Sequence, residues 1–132
     1  MCLPMTRVLL VEDSPDILYV LQVELEWLGY EVDAATDAAT AIDAAVRVRP
    51  DIIISDLGMP DVDGFEFIRR VREIPSLATV PAIALTGTTS DSSVQQALAS
   101  GFTAHLVKPV EVADLAAKIE QLTSRRLRGK AG

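Results

Sequence analysis

Residues 51–64 read DIIISDLGMPDVDG, and this stretch decides the fold. Its first part, Asp51–Ser55, contains a continuous β-branched apolar run, and a strand that is apolar at every position is covered on both faces of its sheet. Its second part, Asp56–Gly64, is dense in Gly, Pro and Asp, which favour turns and loops. The stretch therefore predicts a buried central strand that ends abruptly in a polar loop.

The same alternation of strand and helix extends in both directions from this stretch. Short apolar strands are predicted at Arg7–Val11, Glu31–Ala35, Pro81–Leu85 and Ala104–Val107. A helical pattern follows each predicted strand, which is typical of a parallel sheet with helices on both faces. We therefore expect an α/β, doubly wound, five-stranded parallel sheet with the usual strand order 2-1-3-4-5.

Apolar spacing predicts which residues form the helices and which faces point inward. Ser14 and Asp37 are expected to cap the first and second helices. In the third helix, Arg69, Arg70 and Arg72 are expected to point outward. The apolar positions are Ile17, Leu21, Leu25 and Leu28 in the first helix, Ala38, Ile42, Ala45 and Val46 in the second, Phe65, Ile68 and Val71 in the third, and Val112, Leu115, Ile119 and Leu122 in the last.

Composition limits the kind of protein and its partners. The chain has 132 residues, 49% of them hydrophobic, which fits one globular domain at residues 7–123, with a disordered segment 1–6 and a basic, frayed tail 124–132. A net charge of -7 opposes binding to nucleic acid and to anionic membranes. The start lacks the apolar segment of a secretory signal and the single cysteine, Cys2, cannot form an internal disulfide, so we expect a cytoplasmic protein.

Polar residues collect where the predicted strands end. Glu12 and Asp13 follow the first strand and Asp56 follows the third, while Thr86 and Lys108 follow the fourth and fifth. Each has an ordinary structural interpretation as a cap, a turn former or a solvated charge. In a parallel sheet, however, these ends share one edge, and two carboxylates about 4 Å apart there repel by about 4 kcal/mol. Either one acid stays protonated or a cation lies among them, and Mg2+ suits an all-oxygen set.

These residues carry a resemblance to a known family. The pair Glu12-Asp13, the block Asp56–Gly64, and the pairs Thr86-Gly87 and Lys108-Pro109 stand in the order and separations of receiver domains of bacterial two-component response regulators. The resemblance spans about residues 7–122 and implies the CheY-like, flavodoxin-like fold. It also implies a signalling phosphoacceptor, which is an enzyme only in its own phosphorylation and dephosphorylation.

The resemblance implies a role for each residue. Asp56 would accept a phosphoryl group from a phosphohistidine on a sensor histidine kinase or a histidine phosphotransfer protein. Mg2+ would be held by Asp13, by Asp56, by the backbone carbonyl of Gly58 and, through water, by Glu12. Lys108 would face the phosphoryl oxygens and Thr86 would bind one of them, which makes Thr86 a switch element. Lys108-Pro109 is typically a cis bond in this family.

One position departs from the family pattern, and the partners stay open. His105 stands where receivers usually carry Tyr or Phe, so it is either a switch residue or a partly buried structural histidine. The implied output is a downstream protein target, or a homodimer through the last strand and the last two helices.

Three interpretations of the whole protein remain. The chain is a stand-alone regulator, which its start at Met1 favours, or a receiver excised from a hybrid sensor kinase. A Mg2+-dependent phosphohydrolase of the haloacid dehalogenase type is the third, but such an enzyme carries Asp-x-Asp after its first strand, where this chain has Glu12-Asp13.

Overall fold

The computed structural model describes residues 6–59, 62–87 and 91–131, with the side chains of Asp91 and of residues 124–131 excepted. In these described ranges, five strands alternate with five helices. They are β1 Arg7–Val11, α1 Pro15–Trp27, β2 Glu31–Ala35, α2 Ala38–Val48, β3 Ile52–Asp56, α3 Gly64–Arg72, β4 Ala82–Thr86, α4 Asp91–Ser100, β5 Ala104–Val107 and α5 Val112–Ala131, with a short 3-10 turn at Pro75–Leu77 between α3 and β4.

The strands form one parallel sheet in the order β2-β1-β3-β4-β5, which confirms the predicted fold and topology. All five residues of β3 are buried, as the apolar run predicts for a central strand. Strands β3 and β4 begin and end one residue later than predicted, so Asp56 and Thr86 are the last residues of their strands. Their backbones are therefore fixed by the sheet.

The sheet divides the hydrophobic core into two clusters. The α1/α5 cluster lies on one face and includes Leu10, Ile54 and Ile119. The α2/α3 cluster lies on the other face and includes Leu9 and Ile53. Because successive strand residues point to opposite faces, the three central strands β1, β3 and β4 each contribute buried residues to both clusters.

The inner faces of α1 and α2 differ from the predicted ones. In α1 the buried residues are Leu18, Leu21 and Leu25, so Ile17 and Leu28 are 46% and 55% exposed. The buried face of α1 therefore follows the spacing i, i+3, i+7 through Leu18, Leu21 and Leu25. In α2 the buried residues are four alanines, Ala38, Ala41, Ala44 and Ala45. Val46, which was predicted on the inner face, is 49% exposed, whereas Ile42 is partly buried against the core as predicted.

Arg72 does not point outward as predicted. Its guanidinium donates hydrogen bonds to the carbonyl of Gly101 at 2.8 and 3.0 Å and to the carbonyl of Leu77 at 2.9 Å. Leu77 lies in the 3-10 turn five residues further along the chain, and Gly101 lies 29 residues further, between α4 and β5. Arg72 therefore joins the end of α3 to both segments. Burial lowers the pKa of its guanidinium from the ordinary value.

The helix caps and the ends of the chain agree only in part with the prediction. Asp37 caps α2 through Thr40, as predicted, whereas the Ser14 side chain makes no capping bond. Helix α5 continues through residues 124–131, which the sequence assigned to a tail, because most of these residues are good helix formers. The predicted disorder at 1–6 lies, Thr6 apart, outside the described residues, as does Gly132. Among the described residues, no helix is long and apolar enough to cross a membrane.

Candidate functional site

The five residues predicted at strand ends come together at one edge of the sheet. The register pairs Val11 with Ser55, Asp56 with Leu85 and Thr86 with Val107, so the four strands end at nearly the same level. Glu12 and Asp13 directly follow β1, and Lys108 directly follows β5. The carboxyl edge of the sheet is where open α/β folds bind their ligands.

Three carboxyl groups form the centre of this edge. One oxygen from each of Glu12, Asp13 and Asp56 lies within 4.8 Å of the others. Glu12 is 1% exposed and Asp56 is 7% exposed, while Asp13 is the most accessible of the three. Water therefore screens the repulsion between the two buried groups poorly, and they need a positive partner.

Lys108 is that partner. Its Nζ lies 3.0 Å from Asp56 Oδ1 and 3.2 Å from Glu12 Oε1, so one ammonium joins the carboxylates of β1 and β3. Burial alone would lower the pKa of Lys108, but its hydrogen bonds and charge interactions with Asp56 and Glu12 outweigh burial and raise the pKa. The ammonium is therefore held in its charged form.

The surroundings of Glu12 favour the protonated form of its carboxyl group. Burial raises the pKa of its carboxyl group above the ordinary value, and the neighbouring acids Asp13 and Asp56 add to the rise. Two hydrogen bonds oppose it, one from the backbone N–H of Ser14 at 3.1 Å and one from Lys108. Ser14 was predicted to cap α1 with its side chain, but the contact that it makes at the site is the hydrogen bond from its backbone N–H to Glu12.

The donor set fits a hard divalent cation. Oxygen atoms of three acids converge, and three negative charges face the single positive charge of Lys108. Mg2+ prefers such oxygen ligands and keeps part of its water shell. The backbone N–H of Gly58 donates to Asp56 Oδ1 at 3.3 Å, so the loop after β3 folds back over the cluster. The role of the Gly58 carbonyl as a metal ligand stays a prediction.

The two predicted switch residues, Thr86 and His105, lie on the neighbouring strands β4 and β5. Thr86 is 2% exposed at the end of β4, and its carbonyl accepts the backbone N–H of Lys108 at 2.7 Å. His105 is half-buried on β5 opposite Ala84, which is consistent with either of its interpretations. The bond Lys108-Pro109 is cis.

An apolar groove next to the site was not predicted. It has a volume of about 600 Å3 between α1 and the segment that follows β5. Ile17, Val20, Pro109 and Val110 supply apolar lining, and Glu12 and Lys108 form the end that borders the acidic cluster. The sequence offered one signal for this groove, the apolar side chain of Ile17. The prediction had instead placed Ile17 on the inner face of α1 with the leucines.

Comparisons with known proteins agree with this geometry. The family described as response regulator receiver domain matches residues 8–120. An uncharacterized 14.6 kDa protein of Leptolyngbya boryana is 42% identical over 114 residues, which cover 86% of this chain and 87% of that protein. The chain spans about half the length of several transcriptional regulators that it also matches, at 34–36% identity.

Solved structures give the same result. Chemotaxis protein CheY4 of Vibrio cholerae superposes with a TM-score of 0.87 at 37% identity, over 90% of this chain and 99% of that chain. The receiver domain of sensor histidine kinase PA1611 from Pseudomonas aeruginosa superposes with a TM-score of 0.85 at 31% identity, over 92% of this chain and 99% of that one. That structure has a magnesium ion coordinated in its active site cleft.

Proposed function

The chain belongs to the response regulator receiver domain family, and we propose that it accepts a phosphoryl group on Asp56 in a histidine-to-aspartate phosphorelay. Receiver domains are signalling domains of two-component systems, not classical enzymes, and they interact with histidine kinases. The proposed donor is a phosphohistidine on a sensor kinase or on a histidine phosphotransfer protein.

The observation that carries the proposal is the environment of Asp56. It ends the central strand, it is 7% exposed, and the ammonium of Lys108 lies 3.0 Å from one of its oxygens. A carboxylate oxygen of Asp56 attacks phosphorus, the new P–O bond forms as the P–N bond breaks, and the imidazole leaves with a proton from solvent. Lys108 faces the phosphoryl oxygens, because phosphoryl transfer depends on positioning and on charge neutralisation.

The acidic cluster supports Mg2+ as the cofactor. Receiver domains bind Mg2+ at an acidic pocket. Here Asp13, Asp56 and the backbone carbonyl of Gly58 would hold the ion directly. Glu12 would hold it through water. When bound, it neutralises negative charge on the carboxylates and on the transferred group. The three converging oxygens of Glu12, Asp13 and Asp56 support this assignment.

The output would follow from the new charge at the sheet edge. A phosphoryl group adds roughly -1.5 to -2 charges, which a neighbouring hydroxyl can bind. We assign that contact to Thr86, with His105 as a second switch position on the adjacent strand. The surface they would change is formed by β5, α4 and α5, where a protein target or a second copy of the chain would bind in the cytoplasm.

The test is phosphorylation by a small donor. Incubation with acetyl phosphate and Mg2+ is expected to give one acid-stable, hydroxylamine-labile phosphoryl group per chain, detected by mass spectrometry. D56N is expected to take up none, and D43N, which changes an exposed acid of α2, is expected to match the wild type. Equal labelling of D56N would refute the assignment of Asp56. Many turnovers of the donor would favour the phosphohydrolase alternative.

A further inference from the structure

The peptide that follows the phosphoacceptor is held by a side chain of its own strand. Ser55 precedes Asp56 in β3 and is fully buried. Its hydroxyl Oγ donates a hydrogen bond to the backbone carbonyl of Asp56 at 2.9 Å. The register places Ser55 between Val11 and Ala84, both fully buried in the α2/α3 cluster. The hydroxyl therefore lies in apolar surroundings and is satisfied by this one carbonyl of the site backbone.

Besides the strand ladder and the bond from the Gly58 N–H to Asp56 Oδ1, three hydrogen bonds hold the backbone from Asp56 to Gly58. The first is the bond from Ser55. In the second, the N–H of Leu57 donates to the carbonyl of Leu85 at 3.3 Å, and in the third, the N–H of Gly64 donates to the carbonyl of Leu57 at 3.0 Å. The last two join backbone groups only. Of the three, Ser55 supplies the bond that a substitution can remove without changing the chain path.

Close packing leaves this peptide little alternative room. A Cβ atom at Gly64 would lie 2.6 Å from the carbonyl oxygen of Asp56 and 2.7 Å from Cα of Leu57, so the backbone of α3 packs directly on the peptide. Gly64 limits the peptide sterically, while the Ser55 hydroxyl sets the direction of the Asp56 carbonyl. Because the peptide is planar, its direction relates Cα of Asp56 to Cα of Leu57, and it thus sets how the loop that carries the Gly58 backbone leaves the phosphoacceptor position.

The geometry points to Ser55 as a positioning residue for the metal and phosphoryl site, acting through the Asp56–Leu57 peptide. The inference rests on the proposed function, because the groups it orients are the proposed Mg2+ ligands. Partners in the outer shell of a metal site typically change metal affinity by about tenfold or more when they are removed. A hydroxyl that served only to fill space would have no such effect.

The test compares two variants that each delete one buried hydroxyl without changing side-chain shape much. S55A removes the bond to Asp56. T123V removes the hydroxyl of Thr123, which is also buried and donates to the carbonyl of Ile119 at 2.7 Å in α5, away from the site. Mg2+ is titrated into each protein, and the dissociation constant is measured by two-dimensional NMR from the backbone amide of Gly58. Urea unfolding in Mg2+-free buffer measures stability separately.

We expect S55A to bind Mg2+ about tenfold more weakly than the wild type and T123V to bind it equally well, although both lower the urea midpoint. S55T, which keeps the hydroxyl, is expected to recover most of the affinity, and S55C, a weak donor of similar size, replaces S55A if the alanine variant does not fold. Wild-type affinity in S55A, or an equal loss in T123V, overturns the inference alone. A wild-type chain that binds no Mg2+ overturns the proposed metal site first.

Discussion

The surroundings of Tyr30 predict how the free energy of unfolding depends on pH in the alkaline range. It lies just before β2, is 7% exposed, and its hydroxyl donates to Glu120 Oε1 of α5 at 2.7 Å. Burial, together with the hydrogen bond and the charge of Glu120, raises the pKa of Tyr30 well above the ordinary value. The bond joins the start of β2 to α5 across the α1/α5 cluster.

The sign follows from which state keeps the proton. In the unfolded chain Tyr30 ionises near pH 10, whereas the folded protein retains its proton at that pH. Above about pH 10 the unfolded state therefore binds fewer protons, and the free energy of unfolding falls by up to about 1.4 kcal/mol per pH unit. The contribution is fully present below pH 10 and is lost as the pH rises toward the folded pKa.

Y30F removes both the bond and this slope. At pH 7 the variant is expected to lose about 1 kcal/mol, because Glu120 is exposed and is hydrated again by water. The two stability curves are then expected to cross about 0.7 pH units above pH 10, given that loss and that slope. Urea unfolding between pH 7 and pH 11 measures both quantities.

The matched control is Y19F, which changes a tyrosine that is 68% exposed on α1. It is expected to follow the wild-type curve throughout, since no buried hydrogen bond is removed. Lysines titrate in the same range, but they do so equally in all three proteins. If the curves of Y30F and the wild type stay parallel from pH 9 to pH 11, the reasoning about Tyr30 is wrong.

Three further substitutions test the site and its loop, with urea unfolding as the common measurement. K108M removes the ammonium from two buried carboxylates, and we expect a loss of about 2–3 kcal/mol without Mg2+ that Mg2+ partly reverses. K118M changes a half-buried lysine of α5 whose ammonium makes only an exposed hydrogen bond to Gln121, so it is expected to have little effect and serves as the control. D63A deletes the cap of α3 and is expected to cost about 1 kcal/mol, while D63N keeps a capping oxygen and costs less; equal losses would contradict the cap. G64A forces a Cβ against the backbone of the preceding loop and is expected to cost about 1–3 kcal/mol, whereas G58A, with open space around it, is expected to be nearly neutral.

The sequence predicted the sheet order and the meeting of the strand-end residues because both depend on topology. A continuous apolar run such as Ile52–Ile54 determines that β3 is central, and parallel strands necessarily end at a shared edge. Glu12, Asp56 and Lys108 could therefore be placed together without knowing any distance. That Lys108 bonds both carboxylates at once depends on side-chain reach across three strands, which no spacing in the sequence specifies.

Helix faces were predicted less well for a related reason. When two neighbouring residues are both apolar, as Ile17 and Leu18 are, helical periodicity leaves open which of them lies on the sheet. The burial of Arg72 depends on the carbonyls of Leu77 and Gly101, which become its partners only after the chain has folded. The groove beside Ile17 likewise results from the packing of α1 against a segment about 90 residues later.

The separation of the two clusters by the sheet gives this small protein two thin interiors in place of one deep one. Neighbouring residues such as Ile53 and Ile54 of β3 belong to different interiors, so repacking on one side reaches the other only by bending the strands between them. Ladder bonds on both sides of β3 resist such bending. The two sides of the molecule can therefore vary in sequence almost independently, and a surface on one side can be adapted to a new partner while the opposite side is left unchanged.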